Sequence, residues 1–281
     1  MRVATNWKDF KVIKTSNGEK MEQWGNFTVI RPDPQVIWGK APLDNKNVHA
    51  HYHRTENKSG EWEIFRRLPA SWTVSWKDLT FNCQPMNFKH MGLFPEQAYN
   101  WQYLQNEIKK ANREVRVLNL FAYTGGASVA CAKAGASVTH VDSAKSMVDL
   151  AKKNAELNGI TNIRYIIDDC KKFVEKEIRR GKTYDIILMD PPSFGRGPNG
   201  ETWKIEEDIF DFVTLTSKVL SDNPILVLIN SYTTGLQPTV MANILNSVFK
   251  TGEVDAYELG LETDEKGIIL PCGCTAIKKF N

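Results

Sequence analysis

Five short apolar runs recur along the chain, at 115–121, 137–141, 163–167, 184–189 and 225–229, and the stretches between them carry helical periodicity. Strand, helix and strand repeated in this way predict a parallel, doubly wound sheet, because parallel neighbours need a crossover and a helix supplies it. The helix at 144–157 shows Ala144, Val148, Ala151 and Ala155 on one face and stops at Asn158-Gly159, a common helix terminator. The last stretches, 254–260 and 272–280, read as two further strands, a hairpin closing the sheet edge.

The strand ends carry the chemistry. The turn after the first run reads Asn119-Leu120-Phe121-Ala122-Tyr123-Thr124-Gly125-Gly126-Ala127, and its small residues let a ligand approach the backbone. A dinucleotide-binding dehydrogenase would have Gly-x-Gly-x-x-Gly here, and the pattern is missing. The second run ends at Asp142, whose carboxylate can accept both ribose hydroxyls of an adenosine cofactor. The third ends in Asp168-Asp169, of which Asp169 is the better placed to accept from an adenine amino group. Aspartate after a strand is also a common helix cap, so the ordered set, not any single residue, carries the reading. The fourth ends in Met189-Asp190-Pro191-Pro192-Ser193-Phe194. At the carboxyl edge of such a sheet, Pro191 and Pro192 hold the backbone rigid so that Asp190 and the adjacent carbonyls can grip a planar group on which Phe194 stacks. A plain strand-terminating turn would use the same prolines. The following loop, 195–200, would close over an acceptor with Arg196 on a phosphate, or be an ordinary surface turn.

The first third is different. Residues 1–85 hold six of the eight tryptophans, interrupted by glycine and proline, and predict a small β-rich domain with strand-like runs at 24–30 and 72–76. Residues 1–90 carry 14 Lys or Arg against 9 Asp or Glu, while the whole chain is only +3. Positive charge and aromatic faces suit single-stranded nucleic acid, although clustered tryptophans also build small β cores. His49, His51 and His53 would share one face of a strand, but no further ligand is spaced for zinc, and no metal is predicted. A helix at 95–110 links the two parts. The first ten residues lack the apolar core of a secretory signal, no apolar run is long enough to span a membrane, and the five cysteines have no disulfide-scaffold spacing. The chain is expected in the cytoplasm.

These residues resemble a known family, the class I S-adenosylmethionine-dependent methyltransferases related to the bacterial 23S ribosomal RNA large-subunit enzymes that make 5-methylcytosine or 7-methylguanine. The carriers are Gly92-Leu93-Phe94-Pro95-Glu96-Gln97, 117–126, Val141-Asp142, Asp168-Asp169 and Asp190-Pro191-Pro192-Ser193-Phe194. The resemblance implies an α/β fold: a Rossmann-like, seven-stranded, doubly wound sheet over 86–281, with the small β-rich domain at 1–85 available for RNA recognition. It implies S-adenosylmethionine as cofactor, held by Phe94, Gln97, Asn119, Phe121, Tyr123, Thr124, Gly125 and Gly126 around its methionine part. Asp142 and Asp169 then hold ribose and adenine, and Asp190 lines the transfer site.

Making 5-methylcytosine requires a cysteine thiolate to attack the ring. Ser231 stands near where the cytosine-modifying relatives have that cysteine, and none lies beside Asp190. The expected reaction is therefore methyl transfer to an RNA base, such as a purine nitrogen or amine, without a cysteine nucleophile and in ribosomal RNA processing. A methyltransferase of protein or small molecules, a nucleotide-binding oxidoreductase and a non-catalytic RNA binder are the alternatives.

Overall fold

The computed structural model describes residues 1–54, 60–196 and 202–280. They form two compact units: Arg2–Tyr99 with Gly260–Cys272, and Met1 with Asn100–Leu259 and Gly273–Asn281.

The first of these holds β1 (Arg2–Ala4), β2 (Phe10–Ser16), β3 (Glu19–Trp24), β4 (Phe27–Pro32), β5 (Ala50–Arg54), β6 (Gly60–Ile64), β7 (Trp72–Trp76) and β8 (Leu79–Cys83). Five strands pair in the order β2-β3-β4-β5-β6, and β7-β8 is a separate hairpin. The apolar run at 24–30 is not one strand: β3 stops at Trp24 and Gly25 turns the chain at φ 62° into β4. Only glycine takes that conformation without strain.

Tryptophan holds this unit together from inside. Trp24 and Trp76 are buried. All six indole N–H groups of the region donate within the unit: Trp7 to the Pro95 carbonyl, Trp24 to Glu22, Trp38 to Thr15, Trp62 to the Met86 carbonyl, Trp72 to the Trp24 carbonyl and Trp76 to the Thr5 carbonyl. A core role accounts for them. The histidine row is likewise engaged, with the Thr28 N–H donating to His49, His51 2.6 Å from Glu19 and His53 2.9 Å from Glu63.

Membership of this unit follows contacts and not sequence order. Residues 86–99 join it because Met86 and Lys89 present carbonyls to Trp62 and Arg31. The loop 263–268 joins it because Glu265 accepts from both the backbone N–H and hydroxyl of Thr15, at 2.7 Å each. A division drawn at 85/86 from composition thus falls inside the unit, whose main limit lies at 99/100.

A charged cluster is buried in its centre. Glu22 accepts from Arg31 Nε at 2.7 Å and from Nη2 at 2.8 Å, and Lys20 lies 3.4 Å from Glu22 and 3.1 Å from Asp33. Burial alone would raise the Glu22 pKa, but the Arg31 and Lys20 charges outweigh it and bring the carboxyl down from 4.5 to about 2. Replacing one member of such a group leaves its partners charged and dry, at a cost of roughly 3–5 kcal/mol. Glu22→Gln is therefore expected to lower urea-unfolding stability by that order, read from tryptophan fluorescence. Because the folded carboxyl releases its proton more readily than the unfolded one, the wild-type contribution is present above pH 4.5 and fades towards about 2. The variant should lose that acid limb.

The other unit continues with α1 (Ala98–Lys110), β9 (Arg116–Leu120), α2 (Gly126–Lys133), β10 (Ser137–Asp142), α3 (Lys145–Leu157), β11 (Ile163–Ile167), α4 (Cys170–Arg179), β12 (Ile186–Met189), β13 (Phe194–Arg196), β14 (Thr202–Lys204), α5 (Ile205–Ser217), β15 (Leu226–Ser231), α6 (Pro238–Val248), β16 (Glu253–Glu262) and β17 (Ile269–Lys279). The large sheet runs β16-β17-β15-β12-β9-β10-β11. Neighbours from β15 through β11 are parallel, and β17 is antiparallel to β15. Every residue of β12 and β15 is buried, as in strands covered on both faces. β10 and β11 lie on one side of β9 and β12 and β15 on the other, so the strand order reverses between β9 and β12. Open α/β sheets bind their ligands at the carboxyl ends beside such a reversal.

Candidate functional site

The backbone leaving β9 is bent hard. Phe121 has φ 55°, Tyr123 φ 49° and Gly125 φ 82°, and the first two are side chains in a region that L-residues avoid. The surroundings hold the bend from several directions. Ala122 N–H donates to the Val141 carbonyl at 3.1 Å, Tyr123 N–H to the Asp142 carboxylate at 2.8 Å and Phe121 N–H to the Cys170 sulfur at 3.3 Å. The buried Asn154 amide donates to the Thr124 carbonyl at 2.8 Å.

The two glycines serve packing as much as openness. A Cβ on Gly125 would meet Ala151 Cβ at 2.9 Å, and one on Gly126 would meet the Trp101 ring at 2.7 Å. Protein atoms already fill the space that a side chain would need.

The acidic strand ends fall along one edge. Asp142 pairs in register with Ile167, so the turn that carries Asp168 and Asp169 begins beside it, and Asp168 N–H donates to the Asp142 carbonyl at 3.2 Å. On the other side of β9, Asp190 N–H donates to the Leu120 carbonyl at 3.4 Å. Thus Asp169, Asp142, the 119–126 turn and Asp190 follow one another across β11, β10, β9 and β12.

Their environments differ. Asp142 is half-buried, and burial raises its pKa against the opposing pull of the Ala144 and Tyr123 N–H groups. Each of its oxygens takes one backbone N–H, Oδ2 from Tyr123 and Oδ1 from Ala144. Each keeps a second acceptor site. Asp169 is exposed and caps α4 by accepting from Lys172 N–H at 2.9 Å. Asp168 pairs with Lys176 at 2.6 Å.

Two predicted residues, Asn119 and Phe121, have side chains engaged within the fold. Asn119 is buried and donates to Ser128 Oγ at 2.9 Å, which in turn lies 3.0 Å from His140 Nδ1. Phe121 packs its ring against Trp203 and Phe212, with centroids 5.4 Å apart in both cases. Phe94 and Gln97 belong to the other unit, at the ends of a short turn of 3-10 helix in which Gln97 N–H donates to the Phe94 carbonyl at 3.1 Å. Phe194 is 52% exposed, with the Arg196 guanidinium 5.8 Å from its centroid. It starts β13, which pairs antiparallel with β14. The segment after the prolines is accordingly a hairpin and not a plain loop, and 197–200 of that expected loop lie outside the described residues.

Trp203 is the residue that the sequence reading missed. Its indole N–H donates to the Pro192 carbonyl at 2.7 Å. A lone tryptophan beyond a glycine-rich stretch gives no signal of that contact.

Residues 36–231 match the family model for S-adenosylmethionine-dependent methyltransferase. The chain belongs to this family of methyltransferases. A crystal structure of the S-adenosylmethionine-dependent methyltransferase from Agrobacterium tumefaciens is 33% identical and superimposes with a TM-score of 0.93 over 99% of this chain and 93% of that one. Ribosomal RNA large subunit methyltransferase K/L of Pseudoalteromonas translucida is 33% identical over 155 residues, 54% of this chain and 21% of that protein. Ribosomal RNA large subunit methyltransferase I of Aeromonas salmonicida is 38% identical over 106 residues, 37% of this chain and 26% of that protein. The chain therefore spans about a fifth to a quarter of the length of these two relatives.

The cofactor of this methyltransferase is S-adenosylmethionine, and the edge fits it. A half-buried carboxylate with a spare acceptor site on each oxygen suits a vicinal diol, and a strained turn held from behind presents fixed backbone groups.

The Asn119–Ser128–His140 chain gives this turn a pH signature. His140 Nε2 is buried with no hydrogen-bond partner among the described residues, and burial lowers the ring's pKa from 6.5 to about 4. The unfolded chain binds a proton at His140 throughout that interval and the folded one does not, so folding weakens as pH falls through it. The urea midpoint is expected to drop between pH 6.5 and 4, His140 supplying up to about 1.4 kcal/mol per pH unit. His140→Gln should flatten that slope.

Proposed function

We propose that this methyltransferase acts on a base of RNA, of the ribosomal kind, at a nitrogen or amine and without a cysteine nucleophile. The observation that carries the reading is the run of acidic groups along one sheet edge, ending in an Asp-Pro-Pro-Ser-Phe segment whose Phe194 is exposed. The names of the two large-subunit relatives and the basic excess of residues 1–90, 14 against 9, support RNA as acceptor and the first unit as its recognition module. The same reading has the enzyme working in the cytoplasm. Among the described residues no helix is long and apolar enough to cross a membrane, which is compatible with it.

In this proposal Asp142 accepts from the ribose hydroxyls and Asp169 from the adenine amino group, while the turn through Asn119, Phe121, Tyr123, Thr124, Gly125 and Gly126 supports the methionine part. The bound cofactor supplies a methyl group on a sulfonium. Asp190 orients the acceptor and takes its proton, Pro191 and Pro192 keep that carboxylate still, and Phe194 stacks on the base. Asn119 and Phe121 contribute by fixing the turn, since their side chains are occupied within the fold.

The cysteines argue against covalent catalysis. Cys274, opposite Ser231 in the β15–β17 register, is buried and donates to the Leu236 carbonyl at 3.0 Å. Burial raises its pKa to about 11 and that of Cys131 to about 12, and raises those of Cys83, Cys170 and Cys272 as well. A nucleophilic thiol needs the opposite shift.

Radiolabelled S-adenosylmethionine incubated with total RNA, protein and metabolite extracts from cells lacking the enzyme is expected to label the RNA alone; label in protein or metabolites would overturn the substrate. Asp142→Ala and Asp169→Ala should each weaken cofactor affinity roughly tenfold, the order expected from losing a charge-assisted hydrogen bond. Asp190→Ala should bind normally and transfer nothing. Titration calorimetry with S-adenosylhomocysteine separates these outcomes, and undiminished affinity in the first two variants would discard their roles.

A further inference from the structure

Prolines cannot donate a backbone hydrogen bond, so the rigid Pro191-Pro192 segment is anchored through its carbonyls and through Ser193. Three contacts do this. Trp203 Nε1 donates to the Pro192 carbonyl at 2.7 Å, Ile205 N–H to the Ser193 carbonyl at 3.1 Å, and the Ser193 and Thr233 hydroxyls meet at 2.6 Å.

Trp203 differs from the others in reaching a second part of the site. Its ring lies 5.4 Å from Phe121 and 5.6 Å from Phe212, and Phe121 lies 5.4 Å from Phe212, so the three rings close a triangle. Phe121 is the residue at φ 55° that opens the strained turn. Across the hairpin Trp203 faces Gly195, where an added Cβ would lie 3.7 Å from Trp203 Cβ and 3.8 Å from Pro192 Cγ. The indole thereby packs its ring on Phe121 of the turn after β9 and donates its N–H to the segment after β12.

We propose that Trp203 is a positioning residue that couples the cofactor turn to the Asp190–Phe194 segment. The inference rests on the reading of that segment as the acceptor side. In-line methyl transfer tolerates little misplacement, and an error near 1 Å can cost about a hundredfold in rate. A single side chain that registers both walls of the reaction gap meets that demand. Movement of Phe121 when the cofactor seats is transmitted to the Pro192 carbonyl, and with it to Asp190.

Trp203→Phe keeps an aromatic ring against Phe121 and Phe212 and removes the N–H together with part of the indole's area. Calorimetry with S-adenosylhomocysteine, hydrogen–deuterium exchange of peptides covering 190–196, and methyl incorporation into the labelled fraction test the idea. In the wild type, S-adenosylhomocysteine is expected to slow exchange in 190–196. In Trp203→Phe the affinity should stay within about twofold of wild type while that protection disappears and kcat falls roughly tenfold or more, with the cofactor KM unchanged. Trp203→Ala, which also withdraws support from Phe121, should lose cofactor affinity as well. Protection that persists in Trp203→Phe, protection missing from the wild type, or affinity and rate that fall in proportion would each overturn the coupling. Asp190→Ala run in parallel tests the underlying assignment separately: transfer that survives it refutes the acceptor reading, whereas the exchange data judge Trp203 by themselves.

Discussion

The site depends on a stretch of backbone that would not hold its shape alone. Phe121 and Tyr123 both sit at positive φ within three residues, a conformation costing of order 1–3 kcal/mol at each position. The cost is met by N–H groups that end on the Val141 carbonyl, the Asp142 carboxylate and the Cys170 sulfur, and by the Asn154 amide beneath Thr124. Asp142 is thus tied to the turn as well as available to a ligand. The two backbone N–H groups oppose part of the desolvation of this half-buried carboxylate at the end of β10.

The same economy governs the segment from Asp190 to Phe194. Two prolines remove local donors, so their segment is shaped by what reaches it from elsewhere: an indole from β14, a backbone N–H from α5 and a hydroxyl from the loop after β15. Methyl transfer from a sulfonium asks little covalent chemistry of the protein and much alignment. Fixed backbone and aromatic packing supply alignment well.

Much of this was legible in the sequence. Apolar runs alternating with helical stretches gave the order of strands and crossovers, and Asp142, Asp169 and Asp190 stood out because they follow strands at the edge where a doubly wound sheet binds its ligands. The lining of the turn was legible only in part. Asn119 and Phe121 were read as facing a ligand, yet their side chains go to Ser128 and to the Trp203–Phe212 pair. Strand periodicity tells which residues sit in the strand, but not where a side chain points once the backbone turns left-handed.

What the sequence determined by itself was local: strand and helix periodicity, the glycine and proline turns, and the acids that follow each strand. Those features depend on neighbours a few residues apart, and spacing records them. Tertiary structure alone decided which distant groups meet. It joined 260–272 to the N-terminal unit, spent all six early indole N–H groups inside it, and brought Trp203 to Pro192 and Phe121. Such contacts arise from closing long loops around a shared core, and nothing in the local pattern of residues encodes their partners.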